Sequence, residues 1–423
     1  MRTVLFLQGP LSPLYRLIAD RLEAAGCRVL RVNLNLGDVL HWRRPGAIAF
    51  RGRPAAFGPF LTELIAREGV TDIVLHGDRR IYHRIAGTVA RAHGLQVIAT
   101  ELGLLRPDWM LIERDGCALA SHFPEDPAAI RAIAARVPPR DRQVRYPGSF
   151  FLVAVPDVIY NLVAVAGRPL FPFYRRHTPD HPLLDYGAWI FRLLAEKKRD
   201  RAAAALAARL GADIPRWHVL ALQLDGDFQI RDNSPFAGMA PVLETVIASF
   251  ARAAPAGDHL VIKNHPLDNG LTRLGSVAAR IAAAHGVAGR VHFVDGGGLK
   301  PLLTGASGFV TVNSSAALEA LGAGVPVTTL APALYRVEGL VFTGPLDAFW
   351  ASAAAPDVSL LEAFLDSVAA TLHVRGSIHS RAGLPVAAEG MAARILANDL
   401  NEPGAFVDPP PRFAWARRLG IRV

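Results

Sequence analysis

Cysteine is scarce in this chain, which carries only Cys27 and Cys117 among its 423 residues. Two cysteines cannot build the disulfide framework on which many small secreted domains depend. The N-terminal apolar run stops at Gly9-Pro10 and is too short for the core of a signal peptide. These absences indicate a protein of the reducing cytosol whose first apolar run is a β-strand.

Lysine is scarce as well, since four of the 46 basic residues are lysines and the rest are arginines, with a formal net charge of +9. Arginine makes bidentate contacts with phosphate and carboxylate groups. The excess is either a composition bias or a preference for anionic partners: sugar nucleotides, acidic sugars or a phospholipid surface. Without zinc-finger spacing, an RNA-recognition signature or a metal-ligand cluster, the sequence predicts no nucleic acid, metal or cofactor.

A long uninterrupted apolar run is also missing. The most membrane-like stretch, residues 149–167, contains Pro156, Asp157 and Asn161, so it is not expected to span a bilayer. We interpret it as a buried helix or a pair of buried strands. The alternative is an element on the membrane surface, with peripheral contact at the inner face of the cytoplasmic membrane that salt releases.

Short apolar runs alternate with helical patterns, which predicts parallel sheets covered by helices on both faces. The strand candidates are Thr3–Gln8, Arg28–Asn33, Asp72–His76, Gln96–Thr100, His218–Leu224, His259–Ile262, Val291–Val294, Gly308–Val312 and Pro326–Leu330. The main helix candidates are Pro13–Ala25, Phe60–Glu68, Tyr82–His93, Ala188–Leu210, Ala240–Ala253, Leu274–His285, Ala316–Leu321, Leu360–Leu372 and Val386–Leu396.

The predicted fold class is α/β, with two Rossmann-like doubly wound domains in a GT-B-like series. We expect an N-terminal acceptor-side domain at 1–155, a helical connector at 156–213, a nucleotide-sugar domain at 214–345, and C-terminal helices and a tail at 346–423. Ligands of such sheets bind at the carboxyl ends of the strands. We therefore expect the active site in the cleft between the domains.

Residues 263–270, KNHPLDNG, follow an apolar strand candidate. Lys263 and His265 can neutralise a phosphate, and Pro266 biases His265 toward an extended backbone that aims its imidazole. The alternative is a strand end followed by an ordinary Asp-Asn-Gly turn.

Residues 311–321, TVNSSAALEAL, place Ser314 and Ser315 where a strand gives way to a helix. Helix N-termini bind phosphate through free N–H groups and the helix dipole. Glu319, one turn further on, is assigned to the ribose hydroxyls. The alternative is ordinary capping of a helix by serine.

Residues 222–236, LQLDGDFQIRDNSPF, follow the first strand of the predicted second domain. Asp225 and Asp227 are candidate catalytic carboxylates, because sugar transfer uses carboxylates as acid, base or nucleophile. Gln223 is assigned to the sugar. An Asp-Gly turn with solvated acids is the alternative.

Polar residues also gather at successive strand ends of the first domain, where they suit a sugar or acceptor pocket. Glu101 is a further candidate catalytic carboxylate, and His177 from the stretch FPFYRRH joins the sugar or acceptor group. Each residue alone is more often part of a turn. The other candidates are Gln8, Gly9, Asn35, Asp38, Asp78, Arg80, His83 and Arg106.

The ordered set of motifs resembles the bacterial capsule polysaccharide biosynthesis and export proteins of the KpsS/LipB type, from residue 3 to about residue 350. The motifs that carry the resemblance are FLQGPLSPLYRLIADRL, VNLNLGD, HGDRRIYH, LGLLRPDWMLIE, FPFYRRH, LQLDGDFQIRDNSPF, KNHPLDNG and VNSSAALEALGAGVPV.

The resemblance implies retaining transfer of the acidic sugar Kdo from CMP-β-Kdo to a lipid of the phosphatidylglycerol type. That step begins the poly-Kdo linker of capsules at the inner face of the cytoplasmic membrane. The HP and SS motifs, here His265-Pro266 and Ser314-Ser315, would hold the CMP phosphate and ribose, as in bacterial sialyltransferases. Asp225, Asp227 and Glu101 match acidic positions of the family.

One stretch departs from the family pattern Glu-Glu-Gly-Tyr-Leu-Arg-Pro, because the chain has Leu102 at the second acid and Leu104 at the aromatic position. The departure implies altered specificity or lost activity. The alternatives are a UDP-sugar transferase or 2-epimerase on the same fold, and a non-catalytic partner in capsule assembly and export. The expected partners are a nucleotide-sugar donor, a lipid or lipid-linked saccharide acceptor and capsule-assembly proteins.

Overall fold

The computed structural model describes residues 2–176 and 182–423. The candidate His177 lies outside the described residues. The chain forms two compact units. The first unit comprises Met1–Pro124, Ala132–His177 and Ala363–Pro411, and the second comprises Glu125–Arg131, Thr178–Glu362 and Arg412–Val423.

The described strands, in chain order, are β1 (Thr3–Phe6), β2 (Arg28–Asn33), β3 (Ile48–Ala49), β4 (Asp72–His76), β5 (Gln96–Leu102), β6 (Trp109–Arg114), β7 (Trp217–Ala221), β8 (His259–Lys263), β9 (Val291–Val294), β10 (Gly308–Thr311), β11 (Val327–Thr329) and β12 (His373–Arg375). Each strand candidate from the sequence overlaps one of these strands, with ends that differ by up to three residues.

The described α-helices of the first half are α1 (Leu14–Ala24), α2 (Leu36–Trp42), α3 (Phe57–Glu68), α4 (Ile81–Ala92), α5 (Pro127–Ala134), α6 (Phe150–Ala166), α7 (Pro182–Leu194) and α8 (Glu196–Arg209). Those of the second half are α9 (Phe228–Arg231), α10 (Met239–Ala253), α11 (Leu274–Ala284), α12 (Lys300–Leu303), α13 (Ala317–Gly322), α14 (Leu346–Ser352), α15 (Val358–Leu372), α16 (Gly383–Ala397) and α17 (Phe413–Arg418).

The sheet of the first unit has the strand order β12-β6-β5-β4-β1-β2-β3. Strands β1 to β5 pair with one another in parallel, whereas β6 is antiparallel to both β5 and β12. Side chains alternate along each strand, so the sheet separates two apolar layers. Val4 and Phe6 pack with α1 and α16, and Leu5 and Leu7 pack on the other face with α3 and α4.

The sheet of the second unit has the order β11-β10-β7-β8-β9, and all of its pairs are parallel. Leu220, Ile262 and Val310 pack with α10, α11 and α14 in one buried cluster. In each sheet the first strand is central, the next two lie on one side and the following two on the other. This is the Rossmann order, so the predicted pair of doubly wound α/β sheets is confirmed.

Two helical predictions need correction. The single run predicted at Ala188–Leu210 is two helices, α7 and α8, separated at Ala195. Residues 149–167 contain one helix, α6, as one of the two options held, but its apolar side chains are not mostly buried: Phe151 is 74% exposed and Val155 is 48% exposed. In the described residues, no helix is both long and apolar enough to cross a membrane.

Three described strands were not among the candidates from the sequence: β3, β6 and, far along the chain, β12. His373 fixes β12 to the first sheet, because its Nδ1–H donates to the backbone oxygen of Val368 at 2.9 Å and its Nε2 accepts from the backbone N–H of Leu104 at 2.8 Å. A ring that donates through one nitrogen and accepts through the other is neutral. Burial accordingly lowers the pKa of His373 to about 4.

We expect acid to destabilise the protein through His373 and His41, since burial lowers the pKa of both rings to about 4. In the unfolded chain each ring takes up a proton near pH 6.5, whereas the folded ring stays neutral, so stability falls as the pH drops from 6.5 toward 4. For His373 the cost at pH 5 is on the order of 2 kcal/mol. Chemical denaturation should show a shallower pH dependence for His41→Leu. The exposed His93→Leu is the control, and equal slopes for all three proteins would contradict the expectation.

Candidate functional site

The second sheet brings three motif-bearing strand ends to one edge. Strands β8, β7 and β10 are parallel neighbours, with β7 in the middle. Neighbouring strands lie about 4.8 Å apart, so the ends of β8 and β10 are separated by roughly 10 Å. The KNHP and SS motifs therefore lie on the same edge, on either side of the strand that leads to Gln223.

His265 has a defined orientation after β8. Its Nδ1 accepts a hydrogen bond from the backbone N–H of Leu267 at 3.1 Å, and its own backbone N–H donates to the Asn264 side chain at 3.0 Å. Because Nδ1 is an acceptor, the neutral ring carries its proton on Nε2. His265 is half-buried and Pro266 is exposed. The arrangement fixes the His265 ring after the end of β8, with its Nδ1 already occupied as an acceptor.

Lys263 is buried at the end of β8, and its ammonium donates to the backbone oxygen of Asn264 at 3.2 Å. Burial lowers the pKa of Lys263, and nearby carboxylates oppose that effect. One of them, Asp295, makes two hydrogen bonds with Arg192 of α7, at 2.7 and 3.0 Å, and one with Arg199 of α8 at 3.3 Å. This network ties the KNHP loop to the two connector helices.

Gln223 and Asn313 join the ends of β7 and β10 by a reciprocal pair of hydrogen bonds, at 2.9 and 3.1 Å. Ser314 Oγ accepts from the backbone N–H of Ala316 at 3.2 Å, in the turn before α13, so the serine supports that turn and does not cap the helix, whose N-cap is Ala316. Ser315 is half-buried and its hydroxyl makes no hydrogen bond to another described residue, whereas Glu319 is exposed on α13. The Gln223 side chain thus stabilises the segment that leads into Ser314 and Ser315.

Asp225 and Asp227 both contact the starts of helices. Asp225 Oδ1 accepts from the backbone N–H of Met239 at the start of α10 at 2.6 Å. Asp227 is the N-cap of α9 and accepts from the backbone N–H of Gln229 at 2.9 Å. Carboxylates in these positions stabilise helix N-termini, so each has a structural role beside the predicted catalytic one.

Glu101 lies in a second cluster, at the carboxyl end of β5 in the first unit. Its carboxylate is 3.5 Å from His76 Nε2, and about a quarter of its side chain is exposed, 26%. Burial raises the pKa of Glu101, opposed by a hydrogen bond from the backbone N–H of Leu102 and by the charges of Arg80 and Arg106. Burial and Arg80 hold the pKa of His76 well below its usual value. A carboxyl group with a raised pKa at a strand end is a candidate acid or base.

Gln8, Asn35 and Asp38 form a buried network with Tyr160 of α6. The Tyr160 hydroxyl donates to Asp38 at 2.9 Å and accepts from Asn35 at 2.7 Å and from Gln8 at 2.8 Å. Asn35 and Asp38 also form the capping box of α2. Because these polar groups satisfy one another, the structure gives all three a supporting role beneath Arg80, which donates to Gln8 at 3.1 Å.

The other candidates of the first unit make contacts of their own. Gly9 permits a close approach, since a Cβ there would be 2.8 Å from the Tyr15 ring. Asp78 accepts from the backbone N–H of Cys117 at 3.3 Å, and burial raises the pKa of its carboxyl. His83 is buried, and its Nδ1–H donates to the backbone oxygen after β4 at 2.6 Å. Arg106 is exposed, and its charge lowers the pKa of Glu101.

The sequence analysis did not single out His76, Thr100, Tyr15 or His379, which belong to the Glu101 cluster. Thr100 contacts His76 Nδ1 at 3.0 Å and the Tyr15 hydroxyl at 2.8 Å. His379 lowers the pKa of His76 by its charge, and its own pKa is lowered by burial and by Arg106. Only the sequence HGDRRIYH contained a signal, at His76, because the other contacts depend on pairing between strands and on a distant C-terminal segment.

In residues 2–176 and 182–423, no group of three or more His, Cys, Asp or Glu side chains is arranged to hold a metal ion.

A sequence model of the family described as "Capsule polysaccharide biosynthesis protein" matches residues 71–379. The chain belongs to this family. The matched region includes Glu101 and the KNHP and SS motifs, and it ends at His379.

Family relatives align along most of the chain. The Capsule polysaccharide export protein KpsS of Escherichia coli is 29% identical over 361 residues, which cover 85% of this chain and 92% of KpsS. The Capsule polysaccharide modification protein LipB of Neisseria meningitidis serogroup A is 27% identical over 388 residues, which cover 90% and 93%. Among solved structures, the Thermosulfurimonas dismutans KpsC beta Kdo 2,7 transferase aligns with 94% of this chain and 99% of its own, at 14% identity and a TM-score of 0.45.

Glu101→Gln should raise the stability of the folded protein at neutral and alkaline pH. Burial penalises the ionised carboxyl, so the folded state binds a proton more tightly than the unfolded state, and stability falls as the pH rises through the raised pKa. The melting temperature of the variant should exceed that of wild type at pH 8, and the two should converge below pH 4.5. Glu389→Gln, at an exposed position of α16, is the control. A variant that melts below wild type at pH 8 would show that the carboxylate is net stabilising.

Proposed function

We propose that the protein is a glycosyltransferase of capsule polysaccharide biosynthesis that moves Kdo, or a related acidic sugar, from a CMP-sugar to an acceptor. The acceptor is a lipid or a lipid-linked saccharide, and the proposed place of action is the inner face of the cytoplasmic membrane. Family membership supports the capsule role. The relatives named for polysaccharide export and modification are consistent with that role.

The observation that carries the proposal is the shared edge of the second sheet. There His265, whose neutral ring carries its proton on Nε2, follows β8, and Ser315 follows β10; the ends of these two strands are roughly 10 Å apart across β7. A phosphate that leaves the sugar gains negative charge. Donors held in place before the reaction stabilise that charge without reorganisation. We assign His265, Pro266, Ser314 and Ser315 to the cytidine monophosphate group, with Lys263 as a buried positive charge below them.

The proposed reaction also needs a carboxylate, as nucleophile or as acid or base. We favour Glu101 because its carboxyl group has a raised pKa and stays partly exposed. Asp225 and Asp227 remain the alternatives, although their oxygens accept hydrogen bonds at helix starts. In the transfer, the bond between the anomeric carbon and the CMP phosphate oxygen breaks. A bond from that carbon to the acceptor oxygen forms, and the acceptor proton passes to the carboxylate or to water.

Nucleotide binding tests the donor class. CMP should raise the melting temperature of the wild-type protein, while UDP and GDP should have little effect, and His265→Ala should lose the CMP shift. His285→Ala, a partly exposed histidine paired with Glu244 outside the edge, is the control. Stabilisation by UDP instead would favour a UDP-sugar transferase or 2-epimerase. Absence of any nucleotide shift, with binding to a capsule enzyme retained, would favour a non-catalytic partner in assembly and export.

Turnover tests the catalytic carboxylate. With CMP-Kdo and a lipid or Kdo-terminated acceptor, Glu101→Gln should slow CMP release by about 100-fold to 10,000-fold, while Glu389→Gln should match wild type. Asp225→Asn and Asp227→Asn should keep most of the activity, because asparagine also caps helices. If Glu101→Gln turns over at the wild-type rate and one aspartate variant does not, the catalytic carboxylate is that aspartate.

A further inference from the structure

Helix α6 has one face that is fixed to the first unit. Tyr160, buried at the middle of that face, shares its hydroxyl with Asp38, Asn35 and Gln8. Its ring also occupies the space that a Cβ on Gly37 of α2 would need, at 2.6 Å. The anchor is specific and polar, so the helix cannot rotate without exposing a buried hydrogen-bond network. The orientation of its other face is therefore set by the fold.

The opposite face of α6 is apolar and exposed. Phe151, Val155, Ile159 and Leu162 are 74%, 48%, 44% and 45% exposed. Their spacing of four, four and three residues places them in one stripe along the helix. Phe150 precedes the stripe and is 61% exposed. We call these five residues the α6 stripe. No charged residue interrupts it.

Arginines flank α6 along the chain. Residues 142–176 contain five arginines and one acidic residue, Asp157. Asp157 accepts a hydrogen bond from Asn161, one turn further on, at 3.1 Å. Arg168 and Arg175 are exposed beyond the C-terminal end of the helix. Arg53 stacks on the exposed Phe173, with its guanidinium carbon 4.6 Å from the ring centroid. An apolar stripe flanked by arginines is suited to bind a surface that has an apolar interior and negatively charged groups on its outside.

The positive charge near α6 distinguishes between two possible partners of the α6 stripe, a second copy of the chain and an anionic bilayer. A second copy of the chain would bring its own arginines against these, and like charges across an interface oppose association. An anionic bilayer attracts the arginines and accepts apolar side chains below its headgroups. We propose that α6 lies flat in the surface of an anionic membrane, with the α6 stripe inserted and the arginines at the headgroups. The helix then holds the first unit at the bilayer as a peripheral contact.

Vesicle flotation of the full chain tests this proposal. Wild type should float with phosphatidylglycerol-containing vesicles, much less with pure phosphatidylcholine, and salt should weaken the binding. Phe151→Ser/Ile159→Ser should reduce the bound fraction at least about tenfold. Leu271→Ser/Val358→Ser removes two exposed apolar side chains elsewhere and should bind like wild type. Equal binding by the two double variants would overturn the proposal.

The contribution of the arginines near α6 is tested with Arg168→Gln/Arg175→Gln. The control is Arg201→Gln/Arg280→Gln, which lowers the net charge by the same amount at exposed positions elsewhere. Only the first pair should weaken binding to anionic vesicles. Equal weakening by both pairs would show that net charge acts without a site at α6. A wild-type dimer that Phe151→Ser/Ile159→Ser converts to a monomer in sedimentation velocity would make a second copy the occupant and overturn the membrane assignment.

A fluorescent reporter tests insertion directly. Val155→Cys in a Cys27→Ser background, labelled with an environment-sensitive dye, should shift to the blue on anionic vesicles, since the remaining Cys117 is buried. The same dye at Ala204→Cys, an exposed position of α8, should not shift. No shift at residue 155 on vesicles that bind the protein would overturn insertion. The vesicle experiments contain no nucleotide, so their failure is distinct from failure of the proposed transfer reaction.

Discussion

The parallel direction of the strands is the constraint on which both candidate clusters depend. Backbone pairing in one direction sends every segment that follows β7, β8 and β10 to a single edge. The strands themselves are buried and apolar, so polar side chains collect where the pairing ends. The same constraint in the first unit brings Gln8, Arg80 and Glu101 together from the ends of β1, β4 and β5. The order and direction of the strands therefore determine which side chains lie together in each cluster.

The second requirement is that buried polar groups find partners. It explains why residues that suggested a ligand from sequence also have internal roles. Asn35 suggested an acceptor pocket, yet its amide contacts Tyr160, which lies 125 residues further along the chain. Asp225 suggested catalysis, and its oxygen stabilises the start of α10. A sequence gives the residue types at a strand end, but it does not give the partners that arrive from other elements.

The strand pattern and the positions of the KNHP and SS motifs could be predicted, because short apolar runs and strand-end polar residues are local signals. Strand β12 and His379 could not, because their places are set by contacts with segments more than 200 residues away, such as β6 and Ser149. The local sequence pattern also could not predict which side chains of α6 are exposed. Its sequence is apolar on nearly every side, so periodicity could not indicate which face packs, whereas in the structure the contacts of Tyr160 identify that face.

The pairing of β4 with β5 also shows the surroundings of Leu102, the position where the family resemblance implies a second acid. His76 pairs with Thr100 across β4 and β5, and Leu102 is two residues beyond Thr100, so it points to the same face of the sheet. There it packs against the apolar cluster of that face. A carboxylate at this position would favour the charged form of a nearby imidazole, whereas leucine adds only burial. The lowered pKa values of His76 and His379 fit this environment. Leu102 therefore adds apolar burial and no charge on the face of the sheet that carries His76 and Thr100.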